Sequence, residues 1–301
     1  MRHVPVLLEE VIESLKLNAG DTVIDCTVGD GGHSEEILKA ISPEGRLLAI
    51  DADPESLLRA KKNLHEWEDQ IIFQRGNFEN LLKISNELGF KDVNGILMDF
   101  GWSSPQFEER KRGFSFQKDE PLDMRYGAGL DKKQTAKDII NNYSENELEK
   151  IFVDYGEEKN AKKIASVIVL ARSSEEIVTT GQLVEVILDV FRDKFQMKKG
   201  MPWVGKIHPA TKVFQALRIV ANDELGVIEK VLPAAIDILA PKGRLSVITF
   251  HSLEDRIVKH YFKKHFETLK IITKKPILSS DMEVKNNPRA RSAKLRVIEK
   301  I

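Results

Sequence analysis

The chain has 301 residues, of which 42% are hydrophobic and 31% charged, and it is long enough for one large or two ordinary globular domains. Its net charge of −1 argues against a uniformly basic nucleic-acid binder. The single cysteine, Cys26, excludes an internal disulfide and a cysteine-based metal cluster. No apolar run approaches the ~20 residues of a membrane span, and the first residues lack the apolar core of a signal peptide. We therefore expect a cytoplasmic protein that does not contact a membrane.

The first hundred residues alternate between helical and strand patterns. Residues 6–17 carry apolar side chains at helical spacing and predict the first helix. Strands that alternate with helices imply a parallel sheet with crossover connections. The predicted strands lie at about 22–26, 46–51, 70–75 and 94–99, and the predicted helices between them at about 34–41, 54–66 and 78–88.

This alternation stops after Asp99 and resumes near residue 208. The intervening patterns are helical, at about 135–141, 145–152, 160–172 and 180–195. We then predict helices within 209–240, a strand at 244–250, a helix at 253–266, a strand near 270–273 and a final edge strand at 295–299. The predicted fold is a doubly wound, mostly parallel α/β sheet of the Rossmann-like type, formed by residues 1–105 and 208–301. A helical domain is inserted at 106–207.

The segment DCTVGDGGH, residues 25–33, joins the first predicted strand to the helix that follows it. Its three glycines permit a sharp turn, and the amides at the helix start can face a bound ligand. Asp51 ends the next strand roughly twenty residues later, where an acid can bind ribose hydroxyls. Glycine turns also occur where no ligand binds, but the acid at this distance favours a nucleoside-cofactor site.

The residues around this turn favour a cationic cofactor. A dinucleotide loop usually reads G-x-G-x-x-G, and the third glycine is missing here. Four acids surround the loop, which disfavours a pyrophosphate and suits S-adenosylmethionine, whose sulfonium and ammonium groups are positive. These acids are Asp25, Asp30, Glu35 and Glu36.

Two further candidate residues lie at the carboxyl ends of predicted strands, where ligands of open α/β sheets bind. Asp99 could accept a hydrogen bond from an exocyclic base amine and take the proton released when that amine is alkylated. The alternative is that Asp99 caps a turn with Ser103 or Ser104. His251 opens a helix with Ser252 as a plausible cap, and it is either a catalytic group or a structural histidine. The seven histidines are scattered, so we expect no metal site.

The charge of the chain is unevenly distributed. Residues 256–301 contain thirteen Lys or Arg and four Asp or Glu, a net charge of +9, whereas residues 1–255 carry −10. Such a segment can bind nucleic-acid phosphates, although it could also be a solvated helix end or pair with the acidic body. The candidate RNA-binding residues are Arg289, Arg291, Lys294 and Arg296.

Several longer motifs resemble the RsmH (MraW) family of bacterial small-subunit ribosomal RNA cytosine methyltransferases. They are HVPVL (3–7), GGHS (31–34), DFGWSSPQ (99–106), RGFSF (112–116), PLDMR (121–125), YGEE (155–158), HPAT (208–211), FQA (214–216), FHSLEDRIVK (250–259) and NPRARS (287–292). The resemblance implies a class I S-adenosylmethionine-dependent methyltransferase core with a helical insertion that recognises the substrate. It implies methylation of the 4-amino group of a decoding-centre cytidine in 16S ribosomal RNA. We expect this RNA to be part of an assembled or late-assembly subunit, and the sequence leaves naked RNA open as the alternative. The family's cofactor positions correspond to Gly31, Gly32, His33, Asp51, Phe78, Asp99 and Gln106.

The chain departs from the family pattern at Trp102, Glu120, Lys159 and Lys212, where a small aliphatic residue, a glycine and two arginines are usual. Lysine keeps the charge of arginine but not its bidentate phosphate geometry. Two other functions stay open: a non-catalytic ribosome-binding factor, and a methyltransferase acting on DNA or a small molecule. The sequence also leaves open whether the chain is a homodimer.

Overall fold

The computed structural model describes residues 4–101, 111–126, 134–197, 203 and 207–301. It divides into two compact units, one formed by Met1–Ser103 with Leu225–Ile301 and the other by Ser104–Glu224. The insertion was predicted to end at residue 207. The second unit instead continues through the helix Thr211–Asn222, because that helix packs against Ala136–Asn142 and Glu145–Asp154.

The first unit contains an eight-stranded sheet in the order β3-β2-β1-β4-β5-β8-β6, with β7 paired to β8. Strands β1 to β5 are parallel, and β8 is antiparallel to its three neighbours. The predicted fold class is confirmed. The strands are β1 Thr22–Asp25, β2 Arg46–Asp51, β3 Ile71–Arg75, β4 Val93–Asp99, β5 Leu239–Thr249, β6 Leu269–Ile271, β7 Ile277–Leu278 and β8 Lys294–Lys300.

The prediction that the last strand lies at an edge is wrong. Strand β8 lies between β5 and β6, and its central residues, 295–298, are all buried. The strand therefore has a neighbour on each side and packing on both faces. A short apolar run does not by itself distinguish an edge strand from an internal one.

Helices cover both faces of this sheet. Alternate strand residues point to opposite faces, so Val23 packs with α1, α2 and α3, whereas Ile24 packs with α4, α10 and α11. Burying each such aliphatic side chain contributes about 1.5–3 kcal/mol. The helices of this unit are α1 Leu8–Leu15, α2 Gly32–Ile41, α3 Pro54–Asn63, α4 Leu81–Leu88, α10 Glu224–Ile238, α11 Ser252–Lys264 and α12 Asp281–Asn286.

Among its described residues the second unit is mainly helical, with its own apolar core. Three of its helices begin at capping boxes, in which the side chains of Thr135, Ser144 and Thr179 accept amide hydrogens three residues later. Glu120, one of the departures from the family pattern, is buried and accepts a hydrogen bond from the amide of Gly113 at 3.0 Å. The helices are α5 Ala136–Asn142, α6 Glu145–Asp154, α7 Ala161–Ser174, α8 Thr180–Lys194 and α9 Thr211–Asn222.

A search of the described residues finds no helix with the length and apolar character needed to cross a membrane.

Candidate active site

The predicted glycine loop connects β1 to α2 and adopts backbone conformations that glycine favours. Gly29 and Gly31 have φ values of 53° and 89°. A Cβ atom added to Gly31 would lie 2.9 Å from Leu64 Cδ1, and one added to Gly32 would lie 2.3 Å from Pro5 Cγ. Packing therefore requires glycine at Gly31 and Gly32. A close approach of the backbone to a ligand would also require glycine.

Asp51 lies at the end of β2, as predicted, and supports the glycine loop. Its Oδ2 accepts a hydrogen bond from the amide of Gly29 at 3.0 Å, and its Oδ1 accepts one from the amide of Asp53 at 2.8 Å. The residue is partly exposed. Each carboxylate oxygen can accept more than one hydrogen bond, so these two contacts are compatible with a further one from a ribose hydroxyl.

Asp25 has a structural role that the sequence analysis missed. Its side chain is 1% exposed and accepts hydrogen bonds from Ser34 Oγ at 2.7 Å and from the amide of Thr27 at 3.0 Å. Burial raises the pKa of Asp25, and these hydrogen bonds oppose the rise. The carboxyl group thus ties the end of β1 to the first turn of α2, a contact between residues nine positions apart that residue type alone does not specify.

His33 lies in the first turn of α2 and is almost completely buried. Its Nε2 is 3.0 Å from the carbonyl oxygen of Val6, and its Nδ1 is 3.9 Å from Asp99 Oδ2. Burial lowers the pKa of His33, which favours the neutral ring. The structure therefore brings two predicted site residues together at the carboxyl ends of β1 and β4.

Asp99 ends β4 with its side chain 16% exposed. Its Oδ1 accepts the amide hydrogen of Gly101 at 2.8 Å, and its own amide donates to Thr27 Oγ1 at 2.8 Å. Burial raises the pKa of Asp99 from 3.8 to about 6; the hydrogen bond from Gly101 opposes this rise, and the nearby Glu254 carboxylate adds to it. At neutral pH the carboxylate is mainly ionised but more basic than an ordinary aspartate.

Two aromatic rings lie near the same edge of the sheet. Phe78 follows β3, and its ring stacks on that of Phe100, with centroids 5.8 Å apart and planes inclined by 25°. The resemblance indicated Phe78 only. The position of Phe100 directly after β4 was the sequence signal that could have identified it. Gln106 and Trp102 lie outside the described residues, as do Ser103 and Ser104.

His251 forms the amino-terminal cap of α11. Its Nδ1 accepts from the amide of Glu254 at 3.4 Å, while its Nε2 lies 2.9 Å from Glu254 Oε1. The buried Glu254 carboxylate also accepts the amide hydrogen of Phe250 at 2.7 Å. This reciprocal arrangement favours the structural alternative over the catalytic one for His251.

The four basic candidates near the carboxyl terminus have different environments. Arg296 is 6% exposed and donates to both oxygens of Asp255, at 2.6 and 3.1 Å. Its predicted phosphate contact is therefore corrected: the guanidinium stabilises the fold from the interior. Lys294 is 33% exposed and 3.9 Å from the same carboxylate. Arg291 is exposed and Arg289 partly exposed, both on a short turn, and their binding to RNA stays a prediction.

A model of the MraW methylase family matches residues 1–301. The chain belongs to this family. It is 44% identical over 317 residues to ribosomal RNA small subunit methyltransferase H of Heliobacterium mobile, with 99% of each chain covered. The resemblance inferred from the motifs is thus confirmed.

Solved structures with a similar arrangement include a putative rRNA methylase from Clostridium thermocellum, 12% identical, with 100% of both chains covered and a TM-score of 0.49. A putative methyltransferase from Streptococcus mutans in complex with SAH is 8% identical, with 99% of both chains covered and a TM-score of 0.48.

Proposed function

We propose that this protein transfers a methyl group from S-adenosylmethionine to small-subunit ribosomal RNA, at the 4-amino group of a cytidine. The observation that carries the proposal is the position of Asp99, at the end of β4 and within 3.9 Å of His33. Membership of the MraW methylase family and the name of the Heliobacterium relative support the class of reaction and the substrate.

The residues around the glycine loop fit the proposed cofactor. Gly31 and Gly32 are packed against Leu64 and Pro5, which fixes the backbone of the loop at the start of α2, where amide groups can face a ligand. Asp51 ends β2, where a carboxylate can contact a ribose, and the Phe78–Phe100 pair offers an aromatic surface for adenine. The carboxyl groups of Asp25 and Asp99 favour a cationic ligand. When bound, S-adenosylmethionine would supply an electrophilic methyl group on a sulfonium.

Asp99 is the group that we assign to the amine. The lone pair of a cytosine 4-amino group is delocalised into the ring, so a hydrogen bond to a carboxylate helps to localise it. Oδ1 of Asp99 is held by the Gly101 amide, and Oδ2 is the oxygen nearer to His33. With a pKa of about 6, the ionised carboxylate can accept the proton that the alkylated amine releases. The neutral His33 adds no positive charge to the site.

RNA phosphates would be held by cations at the surface of each unit. In the first unit these are Arg291, which is exposed, and Arg289 and Lys294, which are partly exposed. In the helical unit, Lys159 and Lys162 are exposed beside a surface depression at the start of α7, which Glu145 also lines, and these two lysines make no ion pair with other described residues. We therefore infer that the helical unit recognises the substrate. Phosphate contacts of this kind position RNA without reading its sequence.

The proposal is tested by incubating the protein with isotopically labelled S-adenosylmethionine and small-subunit RNA, both as naked RNA and as assembled subunits. Mass mapping of the methylated nucleosides should find N4-methylcytidine at one site, and Asp99→Ala should abolish the signal while RNA still binds. If the methyl group is transferred to DNA or to a small molecule and not to small-subunit RNA, the proposed RNA substrate is wrong. Binding to the subunit without cofactor binding would indicate a ribosome-binding factor.

A further inference from the structure

The imidazole of His33 has a hydrogen-bond partner whose chemistry fixes its tautomer. Nε2 lies 3.0 Å from the carbonyl oxygen of Val6. A carbonyl can only accept, so in the neutral ring Nε2 carries the hydrogen and Nδ1 has the free lone pair. Nδ1 is also the nitrogen that lies 3.9 Å from Asp99 Oδ2. The position of the Val6 carbonyl therefore decides which nitrogen faces the site.

Val6 belongs to a short segment, residues 4–7, that lies against the start of α2; we refer to it as the N-terminal strap. Pro5 fills the space beside Gly32, where a Cβ atom would come within 2.3 Å of Pro5 Cγ. Leu7 has φ 54° and ψ 38°, a left-handed conformation that is unfavourable for leucine. Such a conformation persists only where the surrounding structure holds it in place.

Two side chains from the other end of the sequence hold the strap. Glu283 Oε1 accepts the amide hydrogen of Leu7 at 2.7 Å. Asn287 Nδ2 donates to the carbonyl oxygen of Val4 at 3.1 Å. Glu283 lies on α12 and Asn287 directly follows that helix. The strained residue next to Val6 is thus fixed by a carboxylate 276 positions away in sequence.

We propose that Glu283 is a positioning residue for methyl transfer, which holds the N-terminal strap so that the Val6 carbonyl keeps the lone pair of His33 Nδ1 on the same side as the Asp99 carboxylate, where both can accept from an N–H group of a ligand. This inference rests on the proposed function, because the orientation of His33 beside Asp99 affects a rate only if the protein transfers a methyl group. Asn287 supports the same strap through Val4. Since α12 leads directly into the turn that carries Arg289 and Arg291, the strap connects the site of chemistry with the segment that we assign to RNA.

The test compares Glu283→Ala, which removes the acceptor, with Glu283→Gln, which keeps an oxygen at Oε1. Glu267→Ala is the matched control, because Glu267 is an exposed acid of the same carboxyl-terminal region. We expect Glu283→Ala to lower kcat about tenfold, the effect of one hydrogen bond of ~1.4 kcal/mol, with KM for RNA within about twofold. Glu283→Gln should stay within about threefold of the original protein, and Glu267→Ala should be unchanged.

Nitrogen-15 NMR of the His33 ring adds a readout that a purely stabilising role would not change. The original protein and Glu283→Gln should show the hydrogen on Nε2, and Glu283→Ala should show a mixture of tautomers. An unchanged tautomer in folded Glu283→Ala, or a kcat equal to that of Glu267→Ala, would overturn the positioning role. If the original protein methylates no ribosomal RNA, the proposed function fails, and the NMR comparison still decides whether Glu283 orients His33.

Discussion

Asp99→Asn should make the protein more stable and less active at the same time. The pKa of Asp99 rises from 3.8 to about 6 in the folded protein, chiefly through burial and with a further contribution from Glu254. A shift of about 2 units corresponds to about 3 kcal/mol of unfavourable free energy for the ionised carboxylate. The side chain is 16% exposed, and asparagine can still accept from Gly101. We therefore expect a gain in unfolding free energy on the order of 2 kcal/mol above pH 7.

The sign of the pH dependence is a stricter test than the size of the gain. The pKa of Asp99 is higher in the folded protein than in the unfolded chain. Between pH 4 and 6 the native protein therefore binds more protons than the unfolded chain, and its stability falls as the pH rises through this window. The difference between Asp99→Asn and the original protein should thus be absent below pH 4, grow up to pH 6 and then level off. Asp69→Asn, which alters an exposed aspartate, should show no difference at any of these pH values.

The assay is equilibrium unfolding in urea followed by circular dichroism from pH 4 to 8, beside single-turnover methyl transfer. Turnover of the original protein should fall to half near pH 6, where Asp99 becomes protonated, and Asp99→Asn should lose at least about 100-fold, as expected for a proton-transfer group. If Asp99→Asn is no more stable than the original protein at pH 8, burial does not raise the pKa of Asp99 as we infer. If turnover of Asp99→Asn stays within about threefold of the original protein, Asp99 does not accept the proton in methyl transfer.

Three further outcomes are expected. Asp51→Ala should weaken S-adenosylmethionine binding by roughly 1–3 kcal/mol in calorimetry; unchanged affinity in a folded variant would place the ribose elsewhere. Asp255→Ala should lower the free energy of unfolding by about 3–5 kcal/mol because it leaves the buried Arg296 unpaired, and a loss below about 1 kcal/mol would indicate an exposed pair. Replacing Arg289 and Arg291 by Ala should flatten the salt dependence of RNA binding by up to ~0.7–0.9 log unit for each phosphate interaction removed, whereas an unaltered slope with a lower melting temperature would make the segment structural.

The local pattern of the sequence determined the class of fold and the edge of the sheet where the site lies. Strands that alternate with helices bury their apolar faces in a parallel sheet covered by helices. The glycine loop, Asp51 and Asp99 all lie at the carboxyl ends of such strands, which share one side of the sheet. Family motifs then indicated S-adenosylmethionine as the expected cofactor and small-subunit ribosomal RNA as the expected substrate. These inferences depend on residue type and short spacing, which the sequence displays directly.

Only the tertiary structure decided the roles of residues whose partners lie far away in the chain. Arg291 and Arg296 are five positions apart and chemically identical, yet one is exposed and the other is buried against Asp255. The direction of the His33 ring depends on a carbonyl 27 positions before it, and that carbonyl adjoins a residue held by Glu283. Burial and long-range hydrogen bonds set the charge, tautomer and accessibility of a side chain, and neither is encoded in local periodicity.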